Sequence, residues 1–494
     1  MGEILEKVYS VVWGVPALVL ILGVGGYLSL RTGFVQLRLF PKACRDFWKK
    51  LTSRNAAEGV SPFQALCTAL AATVGTGNLA GVAGAIAIGG PGAIFWMWIC
   101  ALLGMVTKLA EATLAVRYCV RQDGENLAGP MYIISQGMGK KYAWLGGIYC
   151  FFGVVAAFGV GNATQINAVI TGINGCILSF GGVPTRQSDL LIGVILSVMV
   201  LVLLLGGAKR IGRVTELLVP FAATAYLLLG TMVLILRLDA IPQAFSVIIR
   251  GAFAPHAVTG GVIGSFMATM RTGVSRGVFT NEAGMGTAAI AHGSATVSHP
   301  VEQGLMGIME VFLDTIVICT MTALVILCSG VPVPYGTDVG VSLTANAFSA
   351  VLGDWVQVVI AASLCLFAFA TVLGWGLYGA RCAQYLFGNG VWNRFAWLQA
   401  ATVILGTVLS TGTIWLLAEI INGLMAIPNL IALAVLSPEL CRLLIDYRRK
   451  TGSIAGGGNK CKFPSMQTAV NPHPCGNSTP LPWPQRSRER KSIT

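Results

Sequence analysis

Two short runs of glycine and polar residues interrupt long apolar segments and could contact a small ligand. The first extends from Ala69 to Gly81 and combines glycines with Thr76 and Asn78. Because glycine destabilises a helix by about 1 kcal/mol relative to alanine, such a cluster needs a physical reason. Either Gly77 and Gly81 form a GxxxG pair that permits close helix packing, or the helix unwinds and its backbone lines a cavity. The first run alone leaves both explanations open.

An unwound first run would offer complementary backbone groups at the ends of its two half-helices. The N–H groups around Thr76 to Asn78 favour a carboxylate, because the dipole of the second half-helix is positive at its start. The carbonyl groups around Ala71 to Val74, at the end of the first half-helix, can coordinate a cation. Residues 65–88 contain no acidic or basic side chain. These groups therefore suit a zwitterion together with Na⁺.

The second run, Arg271 to Gly277, decides between the two explanations. It follows an apolar stretch that begins at Val258, and the segment becomes apolar again toward Ala291. An arginine at membrane depth is expensive and is functional by default. If the first predicted span is left out, the two interrupted segments are the first and sixth of ten. Five-helix inverted repeats place their paired broken helices and their substrate there, so the paired breaks predict a transporter core.

The elements that must position these runs are membrane-spanning helices. The chain has 494 residues, of which 55% are hydrophobic and 11% are charged, whereas a soluble domain contains about 25% charged residues. A helix crosses the hydrocarbon core with about 20 apolar residues. The sequence therefore predicts an all-α polytopic membrane protein with eleven spans, near 11–30, 62–88, 92–118, 143–180, 188–207, 214–237, 258–290, 302–328, 350–386, 395–412 and 414–445.

The distribution of lysine and arginine among the loops predicts the orientation. The loop at 31–61 and the alternate loops that lie on its side contain most of these residues. The opposite side has only four, which are Lys7, Arg186, Arg237 and Arg250. The first side is therefore predicted to be cytoplasmic, which places the N-terminus outside and the C-terminus inside. No cleavable signal peptide is expected.

Three regions follow from this pattern. Residues 1–61 form an N-terminal transmembrane helix and a basic cytoplasmic loop, and residues 62–447 form the transporter core. Residues 448–494 are predicted to be a disordered basic cytoplasmic tail, because they are rich in Gly, Pro and Ser and lack an apolar period. The net charge of +13 lies mainly in loops and tail, so no nucleic-acid partner is expected.

Several longer motifs resemble the alanine or glycine:cation symporter family. They are ATVGTGN at 72–78, GGPGAIFWMW at 89–98, KLAEATLAV at 108–116, RGVFTNEAGMGTAAIAH at 276–292, the stretch at 299–327 and FAFATVLGW at 367–375. The resemblance covers about residues 10–447. It implies a Na⁺- or H⁺-coupled carrier of alanine or glycine in a prokaryotic inner membrane. The implied fold is the LeuT-type 5+5 inverted repeat with one additional N-terminal helix.

The resemblance also implies a substrate pocket. Thr76 and Gly77, with the neighbouring Asn78, match the backbone donors for the substrate carboxylate. Gln165 matches a polar pocket residue, although it could equally be a satisfied interhelical amide. Phe266 and Met270 match an apolar wall for the substrate side chain, with core packing as the alternative. Trp375 matches an aromatic that closes the pocket. Such a pocket should exclude large side chains.

For the Na⁺ site, the resemblance implies carbonyl ligands from Ala71 and Val74 and a hydroxyl ligand from Thr371. Family members commonly have Ser-Thr where this chain has Ala370-Thr371, so one hydroxyl ligand is missing here. Na⁺ could bind more weakly, water could substitute, or the coupling ion could be H⁺. A second departure, Ala380 in place of a common glutamate, is expected to alter an ion pair on the cytoplasmic side.

Other charged residues within the spans are expected to form a gating or structural network. Lys108 and Glu111, three residues apart on one helix, can pair, and a structural pair is favoured over a proton relay. Glu310 and Asp314 share one helical face and would repel each other if both were ionised, so one of them is protonated or paired with Arg271 or Arg276. Asn281 and Glu282 follow the second run and either cap the next helical segment or anchor an inner gate.

Together these features predict a secondary active transporter that carries alanine and/or glycine into the cell with Na⁺ by alternating access. The alternatives are an H⁺-coupled carrier of the same fold and a transport-deficient amino-acid sensor. A channel is disfavoured because polar groups are isolated at two breaks, and an enzyme because no nucleophile–base arrangement is present. No cofactor and no metal beyond the coupling ion is expected, and the partners are the substrate, Na⁺ and the lipid bilayer.

Overall fold

In a computed structural model, the chain is a bundle of α-helices. The structure describes residues 2–52, 59–122, 124–263, 265–337, 339–407 and 411–451. Within these ranges one antiparallel β-hairpin is present. It joins β1 (Val120–Gln122) to β2 (Glu125–Leu127), with Val120 opposite Leu127.

Four helices precede the first interrupted segment. They are α1 (Gly2–Val12), α2 (Val15–Thr32), α3 (Val35–Arg38) and α4 (Phe40–Thr52). The helix α2 ends at Gly33, whose φ of 67° lies in the left-handed region that glycine adopts readily. The predicted basic loop at 31–61 is therefore largely helical within the described residues, and α4 carries Lys49 and Lys50 in its last turn.

The first half of the core begins with a well-defined cap. Ser61 Oγ accepts a hydrogen bond from Gln64 N at 3.0 Å, and Ser61 N donates to Gln64 Oε1 at 3.2 Å, which together start α5. The helices of this half are α5 (Pro62–Thr73), α6 (Val82–Gly89), α7 (Ala93–Arg117), α8 (Pro130–Tyr132), α9 (Ala143–Phe158), α10 (Thr164–Ser179), α11 (Arg186–Leu204) and α12 (Gly207–Leu236).

The second half repeats the pattern of a broken segment followed by long helices. Two short helices lead into it, α13 (Ile241–Phe253) and α14 (Pro255–Val258). The half itself comprises α15 (Phe266–Asn281), α16 (Thr287–His292), α17 (Pro300–Val311), α18 (Thr320–Cys328), α19 (Ser342–Leu352), α20 (Val356–Phe387), α21 (Trp392–Gly406), α22 (Thr411–Val435) and α23 (Ser437–Lys450). π-Helical turns at Gly159–Ala163 and Phe312–Cys319 join α9 to α10 and α17 to α18.

Six helical stretches in the described part of the chain are long and apolar enough to cross a membrane. They are Ala93–Arg117, Lys140–Ser179, Arg186–Leu204, Gly207–Leu236, Pro300–Cys328 and Val356–Phe387. The number rises to eight if each sharply bent helix pair counts as one span. Helices occupy all eleven predicted segments, and the number of spans stays a prediction.

The perimeter of the bundle is apolar. On α12, Leu217, Phe221 and Leu228 are 77%, 66% and 66% exposed, and they lie at helical spacing on one face. Such a face would be a liability in water, and it is what a helix in contact with lipid requires. This pattern identifies α12 as an outer helix of a membrane protein.

The centre of the bundle is formed where α7 packs along α15 and α17. Gly304 and Gly307 of α17 face the backbone of α7. A methyl group added at Gly307 would lie 2.9 Å from the Lys108 carbonyl oxygen, and one at Gly304 would lie 3.0 Å from that of Leu109. Glycine therefore lets the two backbones approach closely, which brings Glu310 of α17 beside Lys108.

The last described helix extends into the first residues of the predicted tail. The helix α23 continues through Lys450. It is amphipathic, and the side chains on its apolar face, including Leu444 and Tyr447, are buried against the bundle. The rest of the predicted tail, from residue 452 onward, lies outside the described residues.

Candidate functional site

The first helix break lies where the sequence predicts it. The helix α5 ends at Thr73, Val74 is extended with φ −77° and ψ 94°, and the chain resumes as a π-helical turn at Gly77–Gly81. The two half-helices differ in direction by 51°. Gly75 N donates to Asn78 Oδ1 at 2.8 Å instead of continuing the helix toward Ala71. The carbonyl end of α5 is therefore available for another partner.

This break lies against α10 and α20. The Thr76 hydroxyl donates to Gln165 Oε1 at 3.0 Å. A methyl group added at Gly75 would lie 2.5 Å from Thr371 Oγ1 and 3.4 Å from Gln165 Oε1, so only glycine fits there. The structure thus brings together the predicted backbone site, Gln165 and Thr371. The Thr371 hydroxyl itself donates to the Phe367 carbonyl at 3.0 Å.

The side chain of Asn78 has a structural role of its own. Its amide nitrogen donates to Asp314 Oδ1 at 2.7 Å, and its amide oxygen accepts from Gly75 N. The side chain therefore holds the break and joins it to the π-helical turn at Phe312–Cys319. The backbone N–H of Asn78, the group predicted to contact the substrate, donates to the Gly75 carbonyl at 3.3 Å.

The second break lies ten residues beyond the predicted position. The run at 271–277, predicted to be unwound, is continuous helix in α15, and the break falls at 282–286 instead. There Glu282, Gly284 and Gly286 have φ values of 52°, 94° and 79°. Gly277 serves close packing, because a methyl group there would lie 3.2 Å from Cys100 Cβ of α7.

The predicted apolar wall is wrong for the same reason. Phe266 is 37% exposed at the start of α15, and it packs edge-to-face on Trp96 with ring centroids 5.4 Å apart. Met270 is one turn further along and is partly buried against the core. The aromatic beside the first break is Phe279, since a methyl group added at Gly77 would lie 3.5 Å from Phe279 Cδ1.

Phe279 could have been found from the sequence. It lies nine residues after Met270, or about 13.5 Å along a helix, and it immediately precedes the Asn281–Gly286 stretch that contains two glycines. Closely spaced glycines after an Asn-Glu pair indicate a C-terminal helix stop. The prediction instead gave more weight to Arg271 and Arg276, which lie inside α15.

Trp375 of α20 reaches the second break. Its side chain is 1% exposed and its ring packs directly against Gly161, where an added methyl group would overlap the ring. Its indole nitrogen donates to Glu282 Oε1 at 2.9 Å. Thr287 donates to Glu282 Oε2 at 2.5 Å. Trp375 is therefore placed between the turn at Gly159–Ala163 and the second break.

The predicted pairing of Lys108 with Glu111 is wrong. Lys108 Nζ binds Glu310 Oε1 at 2.9 Å, and His292 Nε2 lies 2.8 Å from Glu310 Oε2. Glu111 Oε1 instead accepts from Gly284 N and Gly286 N, each at 3.0 Å. The two side chains leave α7 toward different neighbours, because α17 lies closer to Lys108 and the second break lies closer to Glu111.

The predicted partners of the arginines are also different. Arg276 Nη1 binds Glu419 Oε1 at 2.7 Å, and the Arg271 guanidinium lies 5.5 Å from the centroid of the Tyr9 ring. Neither arginine pairs with Glu310 or Asp314. Glu310 instead binds Lys108 and His292, and Asp314 accepts from Asn78 and Thr315.

Asn281 and Asp314 connect the second break to the eighth predicted span. Asn281 Oδ1 accepts from Ala283 N at 3.0 Å, and its amide nitrogen donates to Thr315 Oγ1 at 3.1 Å. Thr315 Oγ1 in turn donates to Asp314 Oδ2 at 2.8 Å. Asn281 therefore stabilises the end of α15 itself, not the segment after it.

A cavity of about 720 Å³ opens at the predicted cytoplasmic end of the bundle. The hairpin of β1 and β2 forms one side, and the ion pair between Arg381 Nη2 and Glu125 Oε2, 2.5 Å long, lies at its edge. Its lining includes the cationic side chains of Arg121, Lys209 and Arg381. Arg276 and Glu419 hold α15 to α22, with 15% and 5% of their side chains exposed.

The chain matches known proteins along most of its length. The sequence model described as "Sodium:alanine symporter family" matches residues 1–457. The sodium/alanine symporter AgcS of Methanococcus maripaludis is 42% identical over 443 residues, which cover 88% of this chain and 94% of that protein. GlnT of Bacillus subtilis, named "Probable sodium/glutamine symporter", is 35% identical over 459 residues, which cover 91% of this chain and 92% of that protein.

A solved structure has the same fold. The crystal structure of MhsT in complex with L-phenylalanine superposes with a TM-score of 0.54 at 14% sequence identity. It covers 80% of this chain and 99% of that chain. The architecture is therefore the LeuT-type transporter fold, as the sequence predicts.

Proposed function

The chain belongs to the sodium:alanine symporter family, and from this membership we propose that it carries alanine and/or glycine into the cell together with Na⁺. Its relatives are membrane transporters and not enzymes. The observation that supports a small zwitterionic substrate is the first break, where backbone N–H groups, Gln165 and Thr371 come together. The nearby Asp314 carboxyl is already engaged by the Asn78 amide and the Thr315 hydroxyl.

The substrate carboxylate is proposed to bind the N–H groups at Thr76 and Gly77. These groups lie at the start of the π-helical turn that leads into α6, where the helix dipole favours an anion. Gln165 holds the Thr76 hydroxyl and so keeps this segment in place. The substrate side chain would then face Phe279, which lies beside Gly77.

The size of the substrate follows from the aromatic side chains. Phe279 and Trp375 are 8% and 1% exposed, and a filled site rejects a larger ligand more effectively than a smaller one. The likeness to GlnT makes glutamine a second candidate. Alanine and glycine are favoured because Trp375 already packs on Gly161, which leaves little space beside the break.

Na⁺ is proposed to bind at the carbonyl end of α5. Ala71 and Val74 would supply carbonyl oxygens and Thr371 a hydroxyl oxygen, since Thr371 Oγ1 lies against Gly75. Ala370 supplies no hydroxyl, so this site has one side-chain ligand fewer than is common in the family. H⁺ coupling is the alternative that this difference keeps open.

The transport cycle is proposed to be alternating access in a prokaryotic inner membrane, with the N-terminus outside. In this arrangement the cavity beside Arg381 opens to the cytoplasm, and the Arg276–Glu419 pair closes the outer side. The substrate would leave through the cavity after the Glu125–Arg381 pair separates.

Uptake of labelled alanine and glycine into proteoliposomes tests the proposal, with Na⁺ and H⁺ gradients imposed separately. We expect uptake under a Na⁺ gradient alone and at least a tenfold loss in Thr371→Ala, which is about 1.4 kcal/mol. Thr231→Ala is the matched control, because the Thr231 hydroxyl also donates to its own helix, at 2.7 Å, but on the exposed side of α12.

Three results would change the assignment. Uptake driven only by H⁺ would replace Na⁺ as the coupling ion. Uptake of glutamine in preference to alanine would change the substrate and contradict the steric argument from Trp375. No uptake under either gradient, from a protein that is folded and correctly inserted, would overturn the proposed function.

A further inference from the structure

Glu111 holds the second helix break by one of its two carboxyl oxygens. Its Oε1 atom accepts from Gly284 N and Gly286 N at 3.0 Å each and from Asn429 Nδ2 at 2.7 Å. Asn429 also donates to the Gly284 carbonyl at 2.9 Å. The break between α15 and α16 is therefore fastened to α7 through Glu111 Oε1 and to α22 through Asn429, which bonds both that oxygen and the Gly284 carbonyl.

The other oxygen, Oε2, is fully buried and has no hydrogen-bond partner among the described residues. The whole side chain is 0% exposed. A buried carboxylate oxygen without a donor or a counter-ion costs considerable free energy. This arrangement therefore calls for a positive species at Oε2.

The charges around Glu111 do not supply that species. Four carboxyls, those of Glu111, Glu282, Glu310 and Asp314, are buried in this region together with one lysine. Lys108 binds Glu310, and His292 lies on the other oxygen of Glu310. The remaining ionisable groups around Glu111 are the phenols of Tyr149 on α9 and Tyr378 on α20, while α22 presents the neutral Asn429.

We propose that Glu111 Oε2 is a proton-binding site, and that its occupancy controls how firmly the second helix break is held. A metal ion is disfavoured because the groups that contact Glu111 are donors, the N–H groups of Gly284, Gly286 and Asn429. A proton needs no further ligand, since it bonds covalently to Oε2 and converts the carboxylate to a neutral acid.

The effect on the break follows from hydrogen-bond strength. An ionised acceptor makes stronger hydrogen bonds than a neutral one. Protonation at Oε2 therefore weakens both bonds from the glycine N–H groups to Oε1, and loss of the proton restores them. Glu282 belongs to the same break and accepts a hydrogen bond from Trp375. Weaker bonds from the break to Glu111 therefore also make Trp375, which packs on Gly161, less firmly held.

Water can deliver the proton from the cavity near Arg381. Val116 lines that cavity and lies five residues after Glu111 on α7, about 7.5 Å along the helix axis. Ser294, two residues after His292, lines it as well. The proton is taken from cavity water and returned to it, so no other reactant is needed.

This inference rests on the proposed function in one respect, which is that the second break belongs to a transport site. The proton site itself can be tested without measuring transport. The test is hydrogen exchange of the peptide that covers 282–292, measured by mass spectrometry on the full chain in lipid nanodiscs. Rates are measured at about pH 5 and pH 8, a range in which a buried carboxyl can titrate, and are corrected for the chemical exchange rate at each pH.

In the wild type we expect exchange at pH 5 to be about tenfold faster than at pH 8. This is the change expected when a hydrogen bond to a charged acceptor becomes a hydrogen bond to a neutral one. Glu111→Gln, which is neutral at every pH, should exchange fast at both. Glu302→Gln is the matched control, because Glu302 lies at the start of α17 and its carboxylate accepts from Ser298 at 2.5 Å. It should behave like the wild type.

Exchange in the wild type that does not change with pH would overturn the proposal, even if Glu111→Gln fails to fold. A pH dependence that survives in a folded Glu111→Gln would also overturn it and assign the proton to another group. The result is independent of uptake. A chain that transports neither amino acid but shows the expected exchange pattern would contradict the proposed function and support the proton site.

Discussion

At the scale of single residues, the hydroxyl of Thr76 and the amide of Gln165 form the direct link between the first break and α10. Their hydrogen bond is 3.0 Å long and buried. Gln165 also donates to the Val160 carbonyl at 3.1 Å, so one side chain connects the break to the turn at Gly159–Ala163. An amide that joins two irregular segments in this way positions the backbone on which the substrate is proposed to bind.

Thr76→Val should raise the KM for alanine by about tenfold, because it removes the hydroxyl but keeps the shape and leaves Gln165 Oε1 without its donor. Thr76→Ser keeps the hydroxyl and should stay within about twofold of the wild type. Concentration-dependent uptake into proteoliposomes measures both. An equal KM in the two variants would show that the hydrogen bond does not position the substrate.

The positions of some site residues were predictable from the motifs that resemble the family. The backbone at Thr76–Gly77 and the nearby Gln165 and Thr371 come together as predicted, although their function stays a prediction. The pairing of Lys108 was not predictable, because Glu111 and Glu310 were both plausible partners and only the close packing of α7 on α17 selects Glu310. Long-range packing decides such pairs, and one sequence does not contain it.

At the scale of helices, glycine controls how closely the central elements approach. A methyl group added at Gly307 of α17 would lie 2.9 Å from the carbonyl oxygen of Lys108 and 3.1 Å from its carbonyl carbon. Both atoms belong to the backbone of α7 and cannot move independently of that helix. The contact therefore determines the distance between Lys108 and Glu310.

Gly307→Ala should destabilise the protein by about 1–3 kcal/mol, the usual cost of overpacking a filled interior. Gly175→Ala is the control, because it lies in α10 with open space around the added methyl group, and alanine is the better helix former. Thermal unfolding of the purified protein in detergent compares them. A Gly307→Ala variant as stable as Gly175→Ala would mean that α7 and α17 can separate freely.

The element boundaries show why the second break was misplaced. Glycine and arginine in 271–277 suggested an interruption, but α15 is continuous there because Gly273 and Gly277 pack against α7. The same residue type marks close packing in one place and a left-handed turn in another, as at Gly284 and Gly286. Sequence alone separates these uses only when other turn residues are adjacent, as in Asn281–Gly286.

At the scale of the whole molecule, the ion pair between Arg276 and Glu419 joins the second broken segment to the last long helix. Glu419 also accepts from Trp13 Nε1 through its backbone carbonyl at 2.8 Å, so the pair lies beside the N-terminal helices, and the N-terminus is predicted to be outside. Both side chains are largely buried, so a single neutral substitution removes a 2.7 Å ion pair from a site that is poorly exposed to water. This pair is where closure of the outer side can be tested.

Arg276→Gln and Glu419→Gln should each lower the alanine uptake rate and the thermal stability, and the double variant should recover part of both losses. The expected coupling energy is about 0.5–3 kcal/mol. A double-mutant cycle on uptake and unfolding gives this number. Strictly additive losses would indicate that the two charges do not act as a pair.

The proposed coupling also sets a limit on the whole cycle. One Na⁺ carried with a zwitterion moves one charge, which supplies about 2.3 kcal/mol at about 100 mV. A tenfold Na⁺ gradient adds about 1.4 kcal/mol. Together these could sustain accumulation on the order of several hundredfold. The fold that performs this was predictable from hydropathy and the paired breaks, because both are properties of whole segments rather than of single contacts.

The helices of this bundle differ in length, and the bilayer must respond to that difference. At about 1.5 Å per residue, the 19 residues of α11 extend about 28 Å, close to the hydrocarbon thickness of about 30 Å. The 32 residues of α20 extend about 48 Å. The excess must be absorbed by tilt or by projection into the headgroup region. Arg381 lies near the end of α20, so we expect a change in the thickness of the surrounding lipid to act on the Arg381–Glu125 ion pair that borders the cavity.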